Sequence, residues 1–148
     1  MSELTRTSEP LQRLLLIEDH APLARMTAEL LREAGLEVRI AISAEEAIRV
    51  AAVFLPDIVL CDMSLPDMSG LELARALRAR PDMKDVFLGI HTGMDVLQLK
   101  DVVSSAEINM ILHKPLTPAK IDELFAENAK LRRNVRDARK SPEQPGVE

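Results

Sequence analysis

Four apolar runs, far apart in the chain, each end on a residue able to handle a metal ion or a phosphate. They are Leu14-Leu15-Leu16-Ile17-Glu18-Asp19, Ile58-Val59-Leu60-Cys61-Asp62, Leu88-Gly89-Ile90-His91-Thr92 and Met110-Ile111-Leu112-His113-Lys114-Pro115. Runs this short and continuous suit strands covered on both faces, as in a parallel sheet. Side by side in one sheet, they would bring three carboxylates, a hydroxyl and an ammonium to its carboxyl edge. That edge is where open α/β sheets bind ligands.

The segments between the runs read as helices. From Arg13 to about Leu131 strand-like and helix-like stretches alternate five times, with strands expected at Leu14–Ile17, Val38–Ile42, Ile58–Cys61, Val86–His91 and Asn109–His113. Pro22 suits the first position of the first helix, Leu23, Met26, Leu30 and Ala34 make an apolar face, and Gly35 can stop it. Ser43-Ala44-Glu45-Glu46 reads as a capping box opening a second helix with Ala47, Ile48, Ala51, Ala52 and Leu55 inward. Leu71–Arg78 is a third helix, and Val96, Leu99, Val102, Val103 and Ala106 supply a fourth. Thr117-Pro118 opens a last helix running to about Arg139. Five βα units with short connections imply a parallel sheet with helices on both faces, joined by right-handed crossovers.

The 148 residues make one domain, expected as a loose tail over 1–12, a folded unit over 13–131, and a helix extension with a disordered tail over 132–148. The only aromatics are Phe54, Phe87 and Phe125, so the core is aliphatic and base-stacking on nucleic acid is disfavoured. A net charge of −5 argues the same way. The single cysteine, Cys61, excludes an intramolecular disulfide and a cysteine-rich zinc site. No apolar stretch reaches the ~20 residues of a membrane span, and the polar start lacks a signal-peptide core, so a cytoplasmic location is expected.

Glu18, Asp19 and Asp62, held close, would repel one another unless a hard divalent cation such as Mg²⁺ resolves the conflict. A carboxylate at a strand end can also attack phosphorus to form an acyl phosphate. Lys114 would offset the phosphoryl charge, and the Thr92 hydroxyl could donate to one of its oxygens.

Residues Leu15 to His20, Val59 to Gly70, His91-Thr92-Gly93 and His113-Lys114-Pro115-Leu116 together resemble the receiver domains of two-component response regulators, over roughly residues 13–130. The resemblance implies a flavodoxin-like (βα)₅ doubly wound parallel sheet with strand order 2-1-3-4-5, here with an extended C-terminal helix. It implies that Asp62 is the phosphoacceptor for a sensor histidine kinase, in a Mg²⁺-dependent phosphorelay reaction. Asp19, Asp62 and the Met63 backbone carbonyl would hold Mg²⁺ with Glu18 assisting through water, Thr92 and Lys114 would contact the phosphoryl group, and the Lys114–Pro115 bond would be cis. Two positions depart from the family's pattern. Ile111 stands where Tyr or Phe is usual and cannot make the ring movement that accompanies switching there, and Glu107 stands where glycine is common.

The expected function is therefore a stand-alone receiver signalling through protein–protein interaction. The alternatives are an unphosphorylated scaffold, motivated by Ile111, and a phosphorelay intermediate serving a histidine phosphotransferase. Turnover of an external substrate is not expected: the haloacid-dehalogenase-like phosphatases carry a second Asp two residues after the nucleophile, where this chain has Ser64. His20, His91 and His113 read as packed or hydrogen-bonded imidazoles. Ile121, Leu124, Asn128, Leu131 and Val135 recur at spacings of 3, 4, 3 and 4, so the last helix beyond Asn128 is expected to project from the domain. A homodimer could form through that extension, or through the face made by the fourth helix, fifth strand and last helix.

Overall fold

Strand and helix alternate as the apolar periodicity requires. The computed structural model describes residues 11–95, Leu99 and residues 108–140. Its elements are β1 (Arg13–Ile17), α1 (Ala21–Glu33), β2 (Glu37–Ala41), α2 (Ala44–Phe54), β3 (Ile58–Asp62), α3 (Gly70–Arg78), a 3₁₀ turn (Pro81–Met83), β4 (Phe87–Thr92), β5 (Met110–His113) and α4 (Pro118–Lys140). The strands form one sheet in the order β2-β1-β3-β4-β5, every pair parallel, which is the flavodoxin-like arrangement. Strands end within a residue of their expected limits. The expected helix between β4 and β5, apart from Leu99, and Glu107 lie outside the described residues, as do both chain ends.

Strand side chains alternate between faces, which splits the core in two. Leu15, Ile17, Val59, Cys61, Leu88 and Ile90 pack under α2 and α3, against Ala47, Ala51, Phe54, Leu73 and Leu77. Leu14, Leu16, Ile58, Leu60, Phe87 and Leu112 pack on the other side against Ala24, Ala28 and Leu31 of α1 and Ile121 and Leu124 of α4. Every residue of the central strands β1, β3 and β4 is buried except Arg13, as the continuous apolar patterning anticipates.

Besides the inward face of α2, where Ala52 and Leu55 are exposed and Phe54 is buried instead, three expectations are corrected by the packing. The buried stripe of α1 is Ala24, Thr27, Ala28 and Leu31, while Met26 is 66% exposed. Small residues at Ala24 and Ala28 let the helix backbone approach the sheet, so Met26 is turned out and Leu30 only flanks the core. At the start of α2, the Glu46 amide does donate to Ser43 Oγ (3.1 Å), but the Glu46 carboxylate accepts from the Ile42 amide (2.8 Å) instead of closing a reciprocal box with Ser43. The complete capping box is at α3, between Ser69 and Glu72.

The third correction concerns α4, whose later turns do not project. Asn128 is buried and donates to Gln12 Oε1 (2.9 Å), Leu131 packs against the second core cluster, and the Arg132 guanidinium donates to the Asp57 carbonyl (2.9 Å). Arg139 pairs with Asp85 at 3.0 Å. The helix lies back across the amino edge of the sheet, beside a cleft of about 340 Å³ lined by Leu55, Asp57, Asp85, Arg132 and Arg139. The heptad-like stripe is a solution to packing on its own domain.

Candidate functional site

The opposite edge of the sheet gathers the acidic residues. Glu18 follows β1 directly, its amide donating to the Ala41 carbonyl at the end of β2 (2.9 Å). Asp62 is the last residue of β3 and Thr92 the last of β4. Carboxylate oxygens of Glu18, Asp19 and Asp62 lie within 4.8 Å of one another. Glu18 and Asp62 are buried and Asp19 is exposed. Alternation along β3 puts Asp62 on the same side of the sheet as Ile58 and Leu60, and along β5 it puts Lys114 on the side of Leu112. The Lys114 ammonium reaches between the two buried carboxylates, 2.7 Å from Glu18 Oε1 and 3.4 Å from Asp62 Oδ2.

Backbone contacts hold these groups in place. The Lys114 amide donates to the Thr92 carbonyl (2.7 Å), and the Lys114–Pro115 peptide is cis. The Met94 amide donates to Thr92 Oγ1 (3.0 Å), which leaves the hydroxyl proton free to point elsewhere. The Met63 carbonyl accepts from the Gly70 amide (2.7 Å), and the Ser64 amide leans on Asp62 Oδ1 at 3.5 Å. Gly70 is required here: a Cβ at this position would collide with the Asp62 carbonyl oxygen.

Electrostatics follow from burial and charge. Burial raises the Asp62 pKa, the Glu18 charge raises it further, and Lys114 pulls partly the other way. Burial works against the Lys114 ammonium, but the hydrogen bond to Glu18 and the charges of Asp62 and Glu18 outweigh it and leave its pKa raised. His91, buried on β4, is pushed down to about 4 by burial and then by the Lys114 charge, so its ring is neutral at pH 7. Burial raises the Cys61 thiol, which is inert. The donor set is all carboxylate, with one exposed member for access, and among the described residues two buried anions share the Lys114 ammonium. Such a set fits a hard divalent cation with oxygen ligands.

The structure thus brings together Glu18, Asp19, Asp62 and Lys114 by direct distance, and ties Thr92 to Lys114 through the backbone. His20 is the hydrogen-bonded imidazole expected, capping α1 with its Nδ1 accepting from the Leu23 amide (3.3 Å). Two supporting residues escaped sequence reasoning. Lys120 donates to the carbonyls of His113 (2.7 Å) and Pro115 (3.0 Å), clasping the turn that follows β5. Asp67 caps α2 from a distant loop. The Ser69-x-x-Glu72 spacing was readable as a box, whereas Asp67 and Lys120 leave no local signature.

The family model of the response regulator receiver domain matches residues 14–126. The chain belongs to this family. Receiver domains are signalling domains, for which phosphorylation and Mg²⁺ bound at an acidic pocket are general features. Among curated proteins, this receiver is 32% identical over 135 residues to the DNA-binding response regulator MtrA of Mycolicibacterium paratuberculosis, a match covering 83% of this chain and 52% of that one. It is 39% identical over 88 residues to the transcriptional activator protein ExaE of Pseudomonas putida, covering 57% and 41%. The chain therefore spans about half the length of the curated relatives it matches. Among solved structures, a CheY-like receiver domain protein from Methanospirillum hungatei JF-1 superposes with a TM-score of 0.75 at 25% identity, covering 84% of this chain and 99% of that one. A CheY-like receiver domain from Methylobacillus flagellatus gives 0.72 at 28% identity, covering 80% and 99%. Among the described residues no helix is long and apolar enough to cross a membrane.

Proposed function

We propose that Asp62 accepts a phosphoryl group from the phosphohistidine of a sensor histidine kinase, in a Mg²⁺-dependent reaction. The observation that carries this reading is the packing of three carboxylates within 4.8 Å, with the Lys114 ammonium 2.7 Å from Glu18 and 3.4 Å from Asp62. An Asp62 oxygen attacks phosphorus, the P–N bond breaks, and the imidazole nitrogen leaves with the electron pair and takes up a proton. Asp19, Asp62 and the Met63 carbonyl would hold Mg²⁺, with Glu18 assisting through water. Bound there, the ion supplies charge neutralisation to the phosphoryl oxygens. Lys114 contributes a second positive charge, and Thr92 donates its free hydroxyl proton to a phosphoryl oxygen.

Output is proposed to run through direct contact with a downstream protein, from the face that β5 and α4 present. Ile111 of β5 belongs to that face, half-buried against Leu71 and Leu99. Self-association, where it occurs, would use the same face, because the apolar stripe of α4 is taken up by the domain's own core. The alternative, output through DNA binding in cis, is motivated by the name of the mycobacterial relatives.

Acetyl phosphate with MgCl₂, followed by intact-mass measurement, tests the acceptor. The wild type is expected to gain one phosphoryl group, and to lose it in EDTA or on Asp62→Asn substitution. Labelling of Asp62→Asn at the wild-type level rejects the assignment.

A further inference from the structure

The loop between β3 and α3 carries Met63, whose carbonyl the reading above places at the cation, and this loop is held at both root and tip. At the root, the Gly70 amide donates to the Met63 carbonyl (2.7 Å), and Ser64 and Ser69 form an isolated antiparallel bridge. At the tip, Asp67 reaches 22 and 23 residues back along the chain. Its Oδ1 accepts from the Ala44 amide (2.9 Å) and its Oδ2 from the Glu45 amide (3.0 Å). Those are the first two amides of α2, which the N-cap Ser43 leaves open because its own oxygen serves the Glu46 amide. These two amide bonds hold the Asp67 carboxyl below its ordinary pKa, and a helix N-terminus favours an anion.

The other end of this connection leads back to the site. Ala44 is fully buried in the first core cluster, three residues after Ala41 closes β2. The Ala41 carbonyl accepts the Glu18 amide (2.9 Å). The start of α2 is thus tied on one side to the loop bearing Met63, and on the other, through the end of β2, to the backbone of Glu18.

We propose that Asp67 is a positioning residue for the cation site: it latches the Met63 loop to the N-terminus of α2 and so sets the Met63 carbonyl relative to the carboxylates of Glu18, Asp19 and Asp62. The proposal rests on the reading of the site as a Mg²⁺ site. An ordinary helix cap would stabilise α2 and do nothing to the metal; a latch does both.

The experiment uses the full chain and Mg²⁺ as the probe, comparing Asp67→Ala and Asp67→Asn with Ser43→Ala. Ser43→Ala removes a cap from the same helix end without touching the loop, so it controls for loss of stability. Both alanine variants should melt at lower temperature, but only Asp67→Ala should weaken Mg²⁺ in calorimetric titration, by roughly tenfold, the lower end for groups that orient metal ligands. Asp67→Asn keeps one acceptor oxygen and should fall between. In wild-type ¹⁵N spectra, Mg²⁺ should move the Ala44 and Glu45 amides, and this response should vanish in Asp67→Ala. Wild-type Mg²⁺ affinity in Asp67→Ala, or an equal loss in Ser43→Ala, overturns the latch. A wild type that takes up no Mg²⁺ overturns instead the reading of the site, and the latch with it.

Discussion

Lys114 makes its shortest contact with Glu18, at 2.7 Å, while Asp62 stands 3.4 Å away. One ammonium therefore serves two buried carboxylates and favours the one that is not the proposed acceptor. Lys114→Met should leave both anions facing each other and cost about 2–3 kcal/mol at pH 7 in EDTA. Saturating MgCl₂ should restore most of the loss. Urea unfolding under the two conditions measures it, and an equal deficit in both would contradict the charge-sharing account.

Asp62 carries the opposite sign of effect. Its folded pKa is raised, first by burial and then by Glu18, above the ordinary value of 3.8. The stability contributed by such a carboxyl is complete below its unfolded pKa and is lost as pH rises through the raised folded value. At neutral pH the ionised group is a liability, so Asp62→Asn should stabilise the protein in EDTA by about 1 kcal/mol while abolishing phosphoryl labelling. The gain should shrink as the pH is lowered toward 4. A destabilised Asp62→Asn at pH 7 would refute this balance.

His91 contributes to the acid sensitivity of the fold. Burial, then the Lys114 charge, lower its pKa from 6.5 to about 4, and its Nε2 is buried without a hydrogen-bond partner among the described residues. The sign is that of a depressed folded pKa: the contribution is present above 6.5 and lost as pH falls through about 4, because the unfolded ring takes the proton first. The full extent is about 3 kcal/mol. His91→Leu should flatten the stability profile between pH 6.5 and 4, read by denaturant titrations across that range.

Gly70→Ala tests the close approach behind the site. The added methyl would strike the Asp62 carbonyl oxygen, a backbone atom that cannot rotate away. A loss of about 2 kcal/mol is expected, as for overpacking in a tight core, with weaker Mg²⁺ binding because the displaced strand end carries Asp62. Unchanged stability and metal affinity would show that this contact relaxes freely.

The docked end of α4 yields the last prediction. Truncation after Glu127 removes Leu131, the Asn128 bond to Gln12 and the Arg132 bond to Asp57. It should cost about 2 kcal/mol. Arg139→Ala alone, at a pair whose arginine is 73% exposed, should change stability by less than about 0.5 kcal/mol. A truncated protein as stable as the full chain would mean that the extension is not held by the domain.

Much of this architecture was legible residue by residue. Leu14–Ile17, Ile58–Cys61 and Leu88–Ile90 are apolar on both sides because their strands are covered on both faces, and this condition writes itself into consecutive positions. Glu18 and Asp62 were recognisable because each stands directly after such a run, and Thr92 and Lys114 because each follows one with a single histidine between. Helix faces were less legible. Met26 and Ala28 lie on different stripes of α1, and the choice between them depends on how closely the sheet must be approached. The capping box at Ser43 was misread because Glu46 had a second amide, that of Ile42, within reach.

The amino-acid sequence by itself determined the βα alternation, the chemistry at each strand end and the absence of an aromatic at Ile111, because these depend on residue type and short-range period. Only the tertiary structure decided that Lys114 leans on Glu18, that Asp67 caps a helix begun 23 residues earlier, and that α4 folds back over the sheet. Those outcomes are settled by competition among distant donors and acceptors for the same few ångströms of space, and no local pattern records which of them wins.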